Sequence, residues 1–132
     1  MDVTRIKFVA TAKKGEVSAL WACPDQATHA LVLAHAASTN IQHGSMVAIA
    51  EALHNVGIAT FRYNFPYMER GGGGLDGKAT CYATVRSAVA RAAEEAGDLP
   101  LLAGGRSFGG RMTSMASAAE AIPGLKGIVF YA

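Results

Sequence analysis

Ser107 stands in Gly105-Arg106-Ser107-Phe108-Gly109, a G-x-S-x-G pattern. The apolar run "LPLLAG" leads into it, and a helix-like stripe of Phe108, Met112, Met115 and Ala119 leads out. Strand, sharp turn, helix is the setting in which a serine hydroxyl is lifted clear of a sheet edge to act as a nucleophile. The glycine spacing has a steric reason. In so sharp a turn, a side chain two residues before or after the serine would meet neighbouring backbone. The helix that follows aims its first N–H groups at the reacting centre, where negative charge develops on an oxygen. The same residues also allow a Gly-rich strand-to-helix turn that does no chemistry.

Two phosphate-binding patterns fail. A dinucleotide turn needs glycines at its first, third and sixth positions, and counting from Gly104 the third is Arg106. Gly72, Gly77 and Lys78 fit G-x-x-x-x-G-K, but Ala79 stands where a magnesium-holding hydroxyl is needed. No H-E-x-x-H, C-x-x-C or acidic cluster points to a metal, and no cofactor is implied. A second site does emerge at "LVLAHAASTN". There a buried-type run ends in His35, Ala36 and Ala37, where hydrolases place the second oxyanion N–H. Alanine keeps the N–H but narrows the φ range that glycine would have.

The elements that must position these residues follow from periodicity. "RIKFVA" and "EVSALW" alternate charged or polar with apolar residues around "KKG", an antiparallel hairpin with one wet face. "ALVLAH", "GIATFRYNF", "LPLLAG" and "GIVFYA" are short continuous apolar runs, the mark of strands buried on both faces. Between them lie three helical stripes. The first is Met46, Ile49, Ala50 and Leu53, with Ser45 able to cap it and Gly57 to stop it. The second is Tyr82, Val85, Val89, Ala92 and Ala96, ended by Gly97 and Pro100, and the third is the stripe after Ser107. "YMERGGGGLDGK" reads as a loop, since four glycines are too free for an element interior. The order is hairpin, strand–helix three times, then a strand. That implies a three-layer α/β fold, with a mostly parallel sheet of about six strands between helices. Ligands of such sheets gather at the carboxyl ends of the strands.

Composition suits one domain over 1–132. Apolar residues make up 51 %, charged residues 17 %, and net charge is +2, which leaves no nucleic-acid or membrane footprint. No signal peptide or bilayer-length apolar run is evident, so the expected location is cytoplasmic, with Cys23 and Cys81 as reduced thiols partly in the core.

At this point the chain resembles the α/β-hydrolase superfamily, on its dienelactone-hydrolase-like side. It is similar to the bacterial relatives of testis-expressed protein 30 and non-specific-lethal complex subunit three. The resemblance rests on "LVLAHAAS", "GIATFRYNFPYMERG", "LLAGGRSFGGRMTS" and "GIVFYA", and runs from Leu31 onward. It implies the strand order 1-2-4-3-5-6, with "GIVFYA" outermost. It also implies Ser107 as nucleophile, with the N–H groups of Phe108 and of Ala36 or Ala37 as oxyanion donors. It makes Arg62, Tyr63, Asn64 and Tyr67 supports or pocket wall, and the residues alone allow a polar strand end that orders the glycine loop. Arg106 and Arg111 flank the serine, to hold an anionic substrate or to pack by their stems.

The triad order of this fold is serine, acid, histidine. After Ser107 the sequence has one acid, Glu120, and no histidine; His29, His35, His43 and His54 all precede it. The expectation is the N-terminal portion of a longer hydrolase, or a truncated relative. His35 is the candidate substitute base, and its other reading is an imidazole that shapes the loop by backbone hydrogen bonds. His29, His43 and His54 read as surface or helix positions. Two functions stand: a serine hydrolase of the ester or thioester class, acting on a small ester-like substrate, or a non-catalytic interaction module on a hydrolase half-fold. Residues 127–132, apolar and uncharged, are the expected route of self-association.

Overall fold

The computed structural model describes residues 1–132. The two alternating segments fold as β1 (Thr4–Thr11) and β2 (Gly15–Ala22), paired antiparallel. Ile6, Phe8 and Ala10 turn inward, while Arg5, Lys7 and Val9 face water. The apolar runs become β3 (His29–Ala34), β4 (Ile58–Tyr63), β5 (Leu101–Arg106) and β6 (Leu125–Tyr131). The sheet order is β1-β2-β4-β3-β5-β6, the order expected, and β4, β3, β5 and β6 run parallel.

Helix α1 (Gly44–Asn55) lies on one face, its Met46 packed on Leu31 and Leu33. Helices α3 (Lys78–Ala96) and α4 (Phe108–Ala119) cover the other face, over a larger core that includes Phe8, Phe61, Tyr63, Val85 and Met112. Alternation along β4 sends Phe61 and Tyr63 into that larger core. Three layers result. Ala34 pairs with both Tyr63 and Gly105, so β3, β4 and β5 end level and His35, Asn64 and Ser107 leave the sheet along one edge.

Three details differ from expectation. Helix α1 begins at Gly44, so Ser45 falls inside its first turn; His43 caps it, Nδ1 accepting from the Ser45 N–H at 3.1 Å. The loop after β4 contains a short helix, α2 (Pro66–Glu69), which Pro66 opens with a preset φ. Gly71 to Gly74 then all take φ between +95° and +116°, which L side chains avoid. Strand β6, the outermost strand of the sheet, is half-exposed rather than buried on both faces, and Phe130 is 62 % exposed. The cysteines divide: Cys81 is buried in the core and Cys23 is exposed. No helix is long and apolar enough to cross a membrane.

Candidate functional site

Ser107 joins β5 to α4 with φ +48° and ψ −109°, and its side chain is exposed. A positive φ is a strained state for a residue with a Cβ, and it persists only where the surroundings enforce it. The surroundings are backbone. A Cβ on Gly105 would lie 2.4 Å from the Ala34 carbonyl oxygen, and one on Gly109 would lie 2.5 Å from that of His35. Gly104 is tighter still against the Val129 carbonyl of β6. These contacts press the turn directly on the end of β3. Ser107 N–H donates to the Tyr131 carbonyl at 2.8 Å, and Ser107 carbonyl accepts from Arg111 N–H at 3.0 Å. Ser107 Oγ makes no hydrogen bond. The N–H groups of Phe108, Gly109 and Gly110 have no intrahelical acceptor, as at any helix start. The Phe108 ring anchors the turn from below, edge-on to Phe65 and Tyr67 at 5.6 and 6.3 Å.

The segment after β3 is held differently. His35 is fully buried; its Nδ1 donates to the Ala36 carbonyl at 2.8 Å and its Nε2 accepts from Phe65 N–H at 3.0 Å. Nε2 can accept that N–H only as a bare nitrogen, so the proton sits on Nδ1. Burial pushes the imidazole pKa down to about 4, against the smaller upward pull of the Ala36 bond. Both nitrogens are engaged, and the ring has no free lone pair to offer Ser107. Thr39 N–H also donates to the Ala36 carbonyl, at 3.2 Å. In a trans peptide the N–H opposes the carbonyl, so these bonds turn the Ala37 N–H outward. The Ala36 N–H is occupied, donating to Thr39 Oγ1 at 3.0 Å, whereas the Ala37 N–H has no protein acceptor. Of the two expected donors, Ala37 is therefore the free one.

The side chains of 62–67 supply the remaining clamps. Arg62 Nη1 donates to the Ile41 carbonyl at 2.8 Å, and Asn64 Oδ1 accepts from Ile41 N–H at 3.2 Å. Tyr67 hydroxyl donates to the Ala37 carbonyl at 2.7 Å. Burial lowers the Arg62 pKa, and its Nε has no partner. Asn64 is oriented in turn by Glu69, which accepts from Asn64 Nδ2, Lys7 Nζ and both Ser18 N–H and Oγ, all within 3.0 Å. Burial alone would raise the Glu69 pKa, but these bonds outweigh it and hold the carboxyl at about 2. Asp76, its side chain fully buried, accepts from Tyr67 N–H and Arg70, tying the glycine loop to α2. Residues 62–67 thus order the 35–41 loop as well as the glycine loop.

The other candidates disperse. Arg106 Nη1 donates to Ser45 Oγ at 3.0 Å and is drawn to the start of α1, while Arg111 is exposed. His29 opens β3 and His54 closes α1, both at the opposite end of the sheet from Ser107. Glu120, the one acid after Ser107, is exposed beyond the last turn of α4. No three His, Cys, Asp or Glu side chains gather as metal ligands would. Sequence reasoning missed Thr39 and Asp76. A hydroxyl three residues after Ala36 was the available signal for Thr39; nothing local marked Asp76.

The family described as Alpha/beta hydrolase domain matches residues 27–132, and the chain belongs to that family. Its fold is that of dienelactone hydrolase from Anabaena variabilis, with a TM-score of 0.78 at 15 % identity, over 98 % of this chain and 63 % of that one. An α/β serine hydrolase without a lid from Xanthomonas campestris aligns with a TM-score of 0.72 at 18 % identity, over 90 % of this chain and 57 % of that one. An α/β serine hydrolase homologue from Coxiella burnetii gives 0.71 at 14 %, over 92 % and 59 %. The chain therefore spans less than two thirds of the length of these structures. No curated protein sequence matches it.

Proposed function

We propose that residues 1–132 carry the nucleophile and oxyanion donors of a serine hydrolase of the ester or thioester class, and lack its acid and histidine. The observation that carries this reading is Ser107: exposed, at positive φ, and forced there by glycines that no other residue can replace. Strain of this kind, about 1–3 kcal/mol, is characteristic of functional turns. Phe108 N–H and Ala37 N–H are the donors. His35 does not serve as the base, because both its nitrogens are spent on backbone. Donors and binding alone retain only about 10³–10⁴-fold over water when a triad is disabled. Hydrolysis of p-nitrophenyl butyrate by residues 1–132 should accordingly be feeble. Free imidazole can stand in for the histidine. It should accelerate modification of Ser107 by a fluorophosphonate, with the adduct found by mass spectrometry and lost in Ser107→Ala. An unmodified Ser107 with imidazole present would overturn the reading.

A second reading, an interaction module, is favoured by β6. Its outer edge is unpaired, its side chains are half-exposed, and Lys126 is its sole charge. Such an edge is self-complementary in antiparallel pairing. Sedimentation over a concentration series should show association of 1–132 that Val129→Lys abolishes. A monomer at every concentration counts against this reading.

A further inference from the structure

Helices α3 and α4 both start at the carboxyl edge of the sheet, and between their first turns lies a cavity of about 310 Å³ lined by Lys78, Arg111, Met112 and Met115. Its composition is lopsided: two cations, two thioether side chains, no acid. Neither cation has a partner. Arg62, Arg70, Arg86, Arg91 and Arg106 make side-chain hydrogen bonds, whereas Arg111, like Arg5, makes none, and Lys78 forms no ion pair. The nearest acid in sequence, Asp76, is buried and committed to Arg70 and Tyr67. Neither helix carries an acidic residue in its first turn, and at α4 the partial positive charge of the helix start has no acidic side chain within that turn to offset it. Met112 is buried and Met115 half-buried, giving the cavity an apolar, adaptable floor.

From this cavity we infer a subsite for a small amphipathic carboxylate: an apolar segment on Met112 and Met115, and an anionic end between Lys78 and Arg111. Arg111 follows Ser107 by four residues, and its N–H donates to the Ser107 carbonyl at 3.0 Å.

The probe is hexanoate, set against hexan-1-ol, on protein labelled at the methionine methyls. The five methionines separate the sites. Hexanoate should shift Met112 and Met115 in a saturable way and leave Met46 and Met68 unmoved. Hexan-1-ol should bind roughly 10-fold more weakly, since it lacks the charge-assisted bonds. Lys78→Gln and Arg111→Gln should each weaken hexanoate about 3–10-fold, Arg111→Lys should retain it, and added salt should reduce it. Equal binding of the alcohol, no shift at Met112 and Met115, or indifference to both glutamine variants overturns the inference. Because the readout is a methyl shift and the nucleophile is read by phosphonylation, failure of one is distinguishable from failure of the other.

Discussion

Two segments meet at the carboxyl edge of the sheet, and they are held by opposite means. The Ser107 turn is fixed by backbone sterics: Gly104, Gly105 and Gly109 leave no room for a Cβ, and the constraint is carried in the turn's own residues. The 35–41 loop is fixed by side-chain hydrogen bonds from Arg62, Asn64 and Tyr67, with His35 and Thr39 closing it from within. The difference explains why alanines serve at 36 and 37 without the wider φ range that glycine would have. A loop held from outside does not need conformational freedom of its own. It also makes one segment sensitive to pH and leaves the other indifferent to it.

The largest effect should come from the steric side. Gly105→Ala and Gly109→Ala each drive a Cβ into the backbone of β3, which is central in the sheet and cannot yield. Each should cost about 3 kcal/mol or more in urea unfolding. A loss under about 1 kcal/mol would mean that the turn relaxes, and the contrast with the loop would collapse.

On the hydrogen-bonded side, His35→Phe strands the Phe65 N–H in the core, and should cost about 1–3 kcal/mol at neutral pH. The pH dependence has a definite sign. His35 titrates at about 4 in the folded protein against 6.5 ordinarily. The unfolded chain therefore takes up the proton first, and stability present above pH 6.5 drains as pH falls to about 4. The total is about 3 kcal/mol, because each tenfold difference in proton affinity between the folded and unfolded chain is worth about 1.4 kcal/mol. Between pH 6.5 and about 5.5 Glu69 is charged in both states, so that upper window belongs to His35; the Glu69 contribution is lost below it, from about 5.5 down to about 2. Unfolding midpoints of His35→Phe should be flat through the upper window, and a slope equal to that of the unmodified protein would refute the assignment.

Ser107→Gly should move stability the other way. It relieves the positive φ at a small cost in chain entropy, for a net gain of about 1 kcal/mol by thermal unfolding. A loss would mean that Ser107 is not strained. The smallest effect is Tyr67→Phe, which removes one neutral, part-buried bond to the Ala37 carbonyl. Calorimetry should show about 0.5–1.5 kcal/mol, without the pH dependence of His35.

The Ser107 turn was legible because its causes are local: a β-type run, two glycines at fixed offsets and a helical stripe all lie within 99–120. The strand order was legible only through the resemblance, since alternation of elements does not rank parallel strands. The clamp on 35–41 was not legible, because its partners lie 21 to 30 residues away and meet only once β3 and β4 pair. Helix α2 was hidden by the glycines after it, and the true cap of α1 by a serine two positions inside.

By itself the sequence determined the element types, the hairpin, the helical stripes and the sharpness of the turn at Ser107, since each depends on side-chain period or on residues adjacent in the chain. Tertiary structure alone decided that His35 is spent on backbone, that Ala37 rather than Ala36 has the free N–H, that β6 is a half-exposed edge, and that Lys78 and Arg111 line one cavity with Met112 and Met115. Those are facts of relative position. They arise when strands distant in sequence align their ends and two helices descend from the same edge, and no local pattern encodes them.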